Sequence, residues 1–269
     1  MSNSTPLEPS LRAIVDAPDY ALRIRGLLNQ IDAVSEVADM VVLLRDTAAA
    51  IGADAAVFTS FIRDDATLAS FRSLLACDAA WGTLYAKSGW CAHDPWLAHA
   101  ASHSHPSRGS KLRIDTPEQQ RVIDAAAGHG FASTLVAPAP SALAQSRVGV
   151  LVLGSATPEL FEGDGYATVK MEARSLAIEV DEWRSRWIKT ELMRSAHITE
   201  DDLALLRLQQ QGLSSKGIAS ALGVGAPAID CRIQRLNVRL GAQNRRAATR
   251  LAEIYGLIDP LPRRSSTGL

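Results

Sequence analysis

The segment ITEDDLALLRLQQQGLSSKGIASALGVGAPAIDCRIQRLNVRL, residues 198–240, predicts three short helices separated by tight turns. Thr199 can cap the first helix, because its side-chain oxygen can accept from backbone amides and the next three residues are acidic. Gly212 suits the end of that helix, and Ser214 is a good cap for the second. The third helix is predicted to end near Leu240. The pattern therefore predicts an all-α unit.

The predicted third helix carries apolar residues on one face and arginines on the other. The arginines are three or four residues apart, so their guanidinium groups leave the helix along one stripe. They are Arg232, Arg235 and Arg239. Such a stripe can contact phosphates and guanine edges when the helix lies in a major groove of DNA. The alternative interpretation is a solvated arginine face on an ordinary helical bundle.

The charges of the chain separate by sign along the sequence. The 269 residues have a net charge of -1, but residues 194–269 hold 11 Lys and Arg against 6 Asp and Glu. Residues 1–193 hold the other 17 basic and 23 acidic side chains. A basic end on an acidic body suggests that one end of the protein meets a polyanion.

The composition indicates a soluble, folded protein of two domains. Hydrophobic residues make up 47% and charged residues 21%, a balance that excludes disorder for most of the chain. Cys77, Cys91 and Cys231 are odd in number and lack a metal or disulfide spacing, so we expect a reducing, cytoplasmic location. No apolar stretch approaches the roughly 20 residues of a membrane span, and no signal peptide is predicted. A membrane partner is therefore not expected.

The N-terminal part of the chain alternates between helices and hairpins. Its patterns predict strands at 55–62, near 68–75, at 133–137 and at 148–153, and a long helix from about 165 to 190. Consecutive strands this close in sequence pair antiparallel, because a parallel crossover needs more residues. The predicted fold is α+β, with an N-terminal α-β-α sandwich around an antiparallel sheet and a C-terminal all-α domain of four helices.

The helical segment resembles the LuxR-type helix-turn-helix of bacterial transcription regulators. The likeness is clearest in GLSSKGIASALGV, residues 212–224, and in RLGAQNR, residues 239–245. The resemblance implies that Lys216 and Arg245 contact the DNA backbone. It also implies that four residues of the third helix lie on or next to the surface that reads DNA: Ala228, Ile229, Arg232 and Arg235. A fourth helix, residues 245–255, often serves for dimerisation in this family.

The segment departs from the family pattern at several positions. Asp201 and Asp202 stand where the family has Arg and Glu, and Gly225 replaces a capping Ser. Ala228 replaces a Thr, and Arg232 replaces a usual His. Losing a hydroxyl and a basic residue removes two expected phosphate contacts, each of which carries part of the salt-dependent affinity. These changes are compatible with an operator that differs from the family's usual site.

The segment AAWGTLYAKSGWCAHDPW, residues 79–96, resembles the acyl-homoserine-lactone-binding domain that precedes this helix-turn-helix in quorum-sensing regulators. The spacing W-x3-Y-x8-D-P is filled by Trp81, Tyr85, Asp94 and Pro95. Trp81 and Tyr85 are four apart and so share a helical face. The resemblance implies that the Trp donates to the lactone carbonyl and that the Asp accepts from the ligand's amide N–H. The alternative interpretation is a pair of core aromatics followed by a helix cap.

Other predicted pocket positions differ from the usual residues of the family. They are Cys77, Trp96, Thr134, Val136 and Val152. Each change removes a polar partner or adds bulk, and close-packed interiors leave little room for an extra acyl chain. Two hypotheses stay open: a regulator that senses an acyl-homoserine lactone or a related small signal, and an orphan (solo) regulator of the same fold whose pocket is filled or altered and which acts without a ligand.

The resemblance also implies an order of domains along the chain. The predicted segments are a mobile N-terminus at 1–18, a sensor domain at 19–190, a linker at 191–197, a helix-turn-helix domain at 198–258 and a flexible tail at 259–269. The predicted partners are double-stranded DNA carrying an inverted repeat and a second copy of the chain in a homodimer.

Other classes of function have less support in the sequence. His99, His103 and His105 lie near Cys91, but their spacing matches no recognised zinc site, so neither a metal nor a cofactor is predicted. No GxSxG, GxGxxG or P-loop pattern occurs, so no enzyme is predicted. The alternative from another class is a structural or interaction protein whose arginine stripe binds an acidic partner.

Overall fold

The computed structural model of the chain describes residues 10–62, 71–140 and 147–261, and within them five strands form one antiparallel sheet. The strands are β1 (Ala55–Ile62), β2 (Arg72–Ala76), β3 (Ser107–Arg108), β4 (Ser133–Pro140) and β5 (Arg147–Ser155). Their order across the sheet is β2-β1-β5-β4-β3, and every neighbouring pair is antiparallel. The predicted antiparallel sheet is confirmed.

Helices cover both faces of this sheet. The helices of the N-terminal part are α1 (Leu11–Val15), α2 (Tyr20–Leu28), α3 (Val37–Ile51), α4 (Ala79–Ser88), α5 (Pro95–Ser102), α6 (Pro117–Ala126) and α7 (Tyr166–Ser195). Side chains of α4, α5 and α6 join β4 and β5 in one apolar cluster. On the opposite face, α3 packs on β1 and β2, and α7 lies over β5. The sheet is therefore the middle layer of an α-β-α sandwich, as predicted.

Alternation along the strands decides which side chains meet α4, α5 and α6. Two rows of paired residues cross the sheet on that face, namely Leu75, Val57, Val152 and Val136 in the first and Ser73, Thr59 and Val150 in the second. The first row is apolar throughout. The second row places two hydroxyl groups side by side on β1 and β2.

The long helix α7 approaches β5 closely at Gly149. A Cβ atom there would lie 2.5 Å from Asp181 Oδ1 and 3.0 Å from Phe58 Cζ, so a larger residue would push the helix away from the sheet. The buried stripe of α7 runs through Leu176, Ala177 and Val180, and Ile178 beside it is 46% exposed.

The C-terminal unit begins at Arg184 and contains four further helices in its described residues. They are α8 (Glu200–Gln210), α9 (Ser215–Leu222), α10 (Ala226–Leu240) and α11 (Arg245–Ile254). The predicted caps are present, because Thr199 Oγ1 accepts from the Asp202 amide at 3.3 Å and Ser214 Oγ from the Gly217 amide at 3.2 Å. One apolar cluster joins all four helices. The predicted all-α unit is confirmed.

Two segment ends differ from the sequence-based expectation. The expected helix end near residue 190 lies at Ser195, because Arg194 pairs with Glu191 at 2.8 Å and the apolar residues between them pack on the C-terminal cluster. The expected mobile N-terminus includes the helix α1, whose Leu11 is only 2% exposed. The segments 1–9 and 262–269 lie outside the described residues, and the functional domain boundaries stay predictions.

Candidate functional site

Helix α4 carries the two aromatic residues of the predicted pocket. Asp78 caps the helix by accepting from the Ala80 amide at 2.9 Å. Trp81 and Tyr85 follow on the inner side, with their ring centroids 5.6 Å apart, and Trp81 is 2% exposed. The predicted convergence of the indole and the phenol is therefore present.

Asp94 connects α4 to the start of α5. Its Oδ1 caps α5 by accepting from the amides of Trp96 at 2.7 Å and Leu97 at 3.3 Å. Its Oδ2 accepts from the Tyr85 hydroxyl at 2.6 Å. Asp94 is thus both a helix cap and a neighbour of the pocket tyrosine. Its Oδ1 caps α5, and its Oδ2 binds Tyr85.

The surroundings of Asp94 favour its neutral form. Burial raises its pKa from the usual value to about 6, although the Tyr85 hydroxyl and two backbone amides act in the other direction. Burial and the neighbouring carboxylate also raise the pKa of the Tyr85 hydroxyl. No cationic side chain contributes to the shift of Asp94. A carboxylate with only neutral donors keeps acceptor capacity for a further N–H group.

A cavity of about 250 Å³ lies between α4, α5 and the sheet. Five of the predicted ligand-binding residues line it: Trp81, Tyr85, Asp94, Trp96 and Val152. Trp96 narrows the cavity without closing it. Its ring lies 6.3 Å from that of Trp81 and 5.5 Å from that of Phe131, and its buried Nε1 has no hydrogen-bond acceptor in the described part of the chain.

Three predicted pocket residues lie outside the cavity wall. Cys77 packs against the surrounding apolar cluster from the turn before α4, and burial raises the pKa of its thiol to about 11. Val136 is fully buried within the sheet. Thr134 is 8% exposed and fills the space beside Gly109, where a Cβ atom would overlap its hydroxyl. These three residues lie behind the wall of the cavity, and a role for them in ligand binding stays a prediction.

The polar part of the sheet wall was not predicted from the sequence. Thr59 and Ser73 face each other on β1 and β2, their hydroxyl oxygens are 2.9 Å apart, and both line the cavity. The alternation of β1 could have placed Thr59 on the inner face, but its partner depends on the register of β2. One O–H of the pair is used between the two hydroxyls, and the other is available to a ligand or to water.

The histidines near α5 form a cluster of rings without a metal-binding arrangement. His99 and His103 stack with centroids 4.4 Å apart, and His105 meets His99 edge-on at 5.7 Å. Across residues 10–62, 71–140 and 147–261, no three His, Cys, Asp or Glu side chains are grouped so that they could hold a metal ion.

The predicted DNA-contacting residues of α10 have unequal exposure. Arg235 is exposed and donates to the Cys231 carbonyl of its own helix, at 3.5 Å. Arg232 is 31% exposed in its side chain and pairs at 3.3 Å with Asp201, which is 82% exposed. Ala228 is also exposed. Neither Arg232 nor Arg235 is buried within the helical unit.

Three other predicted contacts are engaged inside the unit. Ile229 is fully buried in the apolar cluster, so it is corrected from a reading residue to a core residue. Arg239 donates to the His197 carbonyl at 2.6 Å and to Asp202 Oδ2 at 2.8 Å, which holds α10 against the start of α8. Arg245 donates to the Leu213 carbonyl. Lys216, by contrast, is exposed on α9.

Opposing effects act on the carboxylate that holds Arg239. Burial raises the pKa of Asp202, but hydrogen bonds from Thr199 and Arg239 outweigh it and leave the pKa below the usual value. Asp202 also accepts from the Thr199 amide at 3.1 Å, which completes a reciprocal capping box. This carboxylate is therefore charged, and its Oδ2 accepts from Thr199 and Arg239 of its own unit.

The helices of the described residues include none that is long and apolar enough to cross a membrane.

The fold is similar to solved structures of two bacterial proteins. The crystal structure of Escherichia coli SdiA has a TM-score of 0.68 and 16% identity, over 89% of this chain and 99% of that one. SdiA in complex with octanoyl-rac-glycerol has a TM-score of 0.63 and 17% identity, over 91% of this chain and 98% of that one. CepR2 of Burkholderia cenocepacia is described as an N-acylhomoserine lactone dependent LuxR family transcription factor. Its structure has a TM-score of 0.53 and 18% identity, over 63% of this chain and 98% of that one.

The chain matches a known family by sequence, although no individual curated protein matches it. The family described as the autoinducer binding domain matches residues 36–183, which include α4, Asp94 and the whole sheet. The chain therefore belongs to the autoinducer-binding-domain family, as its resemblance to LuxR-family quorum-sensing regulators predicted.

Proposed function

We propose that the chain is a LuxR-type transcription regulator. It binds an acyl-homoserine lactone or a related small signal in the cavity beside Asp94, and it binds duplex DNA as a homodimer through α9 and α10. The observation that carries this proposal is the buried Asp94 carboxylate, joined to Tyr85 at the wall of an open cavity in an autoinducer-binding domain.

The chemistry of the cavity suits a ligand with an amide and a carbonyl group. Asp94 can accept from an N–H group, while the indole N–H groups of Trp81 and Trp96 can donate to a carbonyl oxygen. The buried Trp96 Nε1, which has no acceptor within the described residues, favours a ligand that supplies one. The apolar remainder of the wall suits an acyl chain.

The size of the cavity favours a compact signal. Its volume of about 250 Å³ is below the range of about 300–1,000 Å³ that is usual for sites of drug-sized ligands. A short acyl chain fits this volume better than a long one. The continuous cavity also favours the signal-binding hypothesis over an orphan regulator whose pocket is filled by Trp96.

The exposed residues of the helical unit support the DNA-binding half of the proposal. Five of the predicted contacts are at least partly exposed on α9 and α10: Lys216, Ala228, Arg232, Arg235 and Arg239, the last of which is paired with Asp202. On this proposal, residues 19–190 are the sensor, residues 198–258 bind an inverted repeat as a dimer, and the protein works in the cytoplasm as a regulator and not as an enzyme.

The signal half is tested by thermal unfolding of the full chain with N-hexanoyl-homoserine lactone. A ligand that binds only the folded state stabilises it and raises Tm, and the stabilisation grows with the logarithm of the ligand concentration over Kd. We expect a rise for the native chain and a much smaller one for Trp81→Phe, which lacks the indole donor. No rise in the native chain, together with intact DNA binding, would support the orphan regulator.

The DNA half is tested by selecting duplexes from a random-sequence pool and measuring their affinity by fluorescence anisotropy. We expect an inverted repeat among the selected duplexes, and a loss of about 10-fold or more for Arg235→Ala, since one base contact is worth about 1–3 kcal/mol. Arg207→Ala, which removes an exposed arginine of α8, is the matched control and should lose much less. If polyglutamate competes as well as duplex DNA, the interaction-protein alternative replaces this half of the proposal.

A further inference from the structure

The cavity meets the protein surface along one edge. Most of its wall is buried or half-buried, but three lining residues are exposed: Ser73, Leu75 and Ala86. The first two lie on β2 and the third on α4. The exposed part of the wall is therefore confined to the border between one strand and one helix.

The position of β2 explains why the border is open. This strand is the outermost of the sheet on its side, so no further strand covers it within the described residues. Leu74 is 1% exposed on the opposite face, whereas Leu75 is 41% exposed although it lines the cavity. Leu75 therefore stands between the cavity and solvent.

Gly82 is the residue of α4 that faces Leu75. A Cβ atom at Gly82 would lie 2.6 Å from Leu75 Cδ1, closer than the two atoms can pack. Glycine in a helix costs about 1 kcal/mol relative to alanine, so its presence here needs a packing or functional reason. The missing side chain lets Leu75 lie directly against the helix next to Trp81.

We propose that the contact between Leu75 and Gly82 is the entrance of the cavity, and that side-chain volume at these two positions decides which ligands pass. This inference rests on the proposed signal site. Leu75 and Gly82 are apolar, with the hydroxyl of Ser73 two residues away on the same strand, while the carboxylate of Asp94 is buried in the wall at 5% exposure. A ligand therefore enters with its polar head first and leaves its tail at the entrance, which admits a narrow, unbranched chain and excludes a branched or ring-bearing one.

The first arm of the test needs no signal molecule. All five tryptophans contribute to the fluorescence, and the change in acrylamide quenching between variants reports how easily a small polar molecule reaches Trp81 and Trp96, the two that line the cavity. We expect quenching to rise in Leu75→Ala and to fall in Gly82→Leu. In the double variant it should return toward the native value, because the side-chain volume lost from β2 is replaced by the side chain added to α4. Matched controls are Leu22→Ala, at a leucine 72% exposed on α2, and Gly26→Leu, at a helical glycine with no atom within 4 Å of its Cβ position.

The second arm follows the association and dissociation rates of N-hexanoyl-homoserine lactone. We expect Gly82→Leu to slow both rates by about tenfold, which corresponds to about 1.4 kcal/mol of barrier, and Leu75→Ala to raise both. The ratio of the two rates should change less than either rate, because the groups that bind the polar head are untouched. A homoserine lactone with a branched acyl chain should bind measurably only to Leu75→Ala.

The two arms separate this inference from the proposed function. If quenching changes between the variants as expected but the lactone does not bind, the proposed entrance is supported and the proposed class of signal is wrong. If the lactone binds but neither quenching nor the rates differ from those of the Leu22 and Gly26 controls, the entrance is wrong and the signal stands. A Gly82→Leu variant that fails to fold is replaced by the double variant, which overturns the inference if its rates match those of Leu75→Ala alone.

Discussion

Each unit of the protein contains a buried carboxylate, but the partners of the two carboxylates differ in charge. Asp94 in the N-terminal unit accepts from a tyrosine hydroxyl and two amides, all of them neutral. Asp202 in the C-terminal unit accepts from the guanidinium group of Arg239 as well as from Thr199. The pKa of Asp94 is raised to about 6, whereas the pKa of Asp202 is lowered.

This difference in pKa shows that the hydrogen-bond partners of a buried carboxylate determine what the carboxylate can do. A carboxylate that is desolvated with neutral donors is destabilised in its charged form, so a ligand that brings another N–H donor gains from it. A carboxylate paired with a guanidinium group is already satisfied, and removing either partner leaves an uncompensated charge. On the proposed function, the same residue type therefore serves recognition in one unit and architecture in the other.

The largest effect is expected when the architectural carboxylate is removed. Asp202→Ala deletes the reciprocal capping box and leaves Arg239 without its carboxylate, so we expect a loss of about 3 kcal/mol in the free energy of unfolding. The measurement is urea denaturation, with hydrogen exchange of the amides of α8 and α10 to locate the change.

The matched control for Asp202→Ala lies one residue earlier. Asp201 also pairs with an arginine of α10, but its side chain is 82% exposed, and exposed pairs contribute about 0–1 kcal/mol. Asp201→Ala should therefore have little effect on the unfolding midpoint. Equal losses in the two variants would mean that burial does not distinguish these carboxylates.

The second effect concerns the dependence of stability on pH. The pKa of Asp94 is about 6 in the folded chain and about 3.9 in an unfolded one, so protonated Asp94 favours the folded state. This contribution is fully present below about pH 4 and is lost as the pH rises through about 6. Its size is roughly 2–3 kcal/mol from the difference in pKa.

Asp94→Asn removes this titration while keeping a side chain that can cap α5. The stability of the native chain relative to the variant should therefore decrease as the pH rises from about 4 to about 6, and stay constant above that range. Urea denaturation at several pH values measures it, with Asp46→Asn, an exposed aspartate of α3, as the control. A constant difference between Asp94→Asn and the native chain at all pH values would show that Asp94 is solvated like an ordinary carboxyl.

Local spacing was enough to place Trp81 and Tyr85 on one face of α4 and to suggest the cap at Asp94, because these residues are close in sequence and interact through a helix and the turn that follows. Their place in a ligand pocket was predicted from the family resemblance. Thr59 and Ser73 could not be predicted, since their proximity depends on the register between β1 and β2. The ion pair of Arg239 could not be predicted either, because its partner Asp202 is 37 residues away in the sequence. The spacing of residues along a helix or strand predicts which face a side chain lies on. Whether that side chain is exposed depends on the other elements that pack against this face.

The smallest effect tests whether Asp201 restrains the arginine stripe. Asp201 stands where the LuxR-type pattern has an arginine, and its carboxylate lies 3.3 Å from the guanidinium group of Arg232. Asp201→Asn should free Arg232 and remove a negative charge from the side of α10. We expect a two- to threefold gain in affinity for the selected duplex, which is about 0.5 kcal/mol. The affinity should also depend more steeply on salt concentration, because one more phosphate contact releases one more counterion. Glu200→Gln, at an exposed neighbouring carboxylate, is the control, and an equal gain there would mean that only net charge matters and that the ion pair with Arg232 does not.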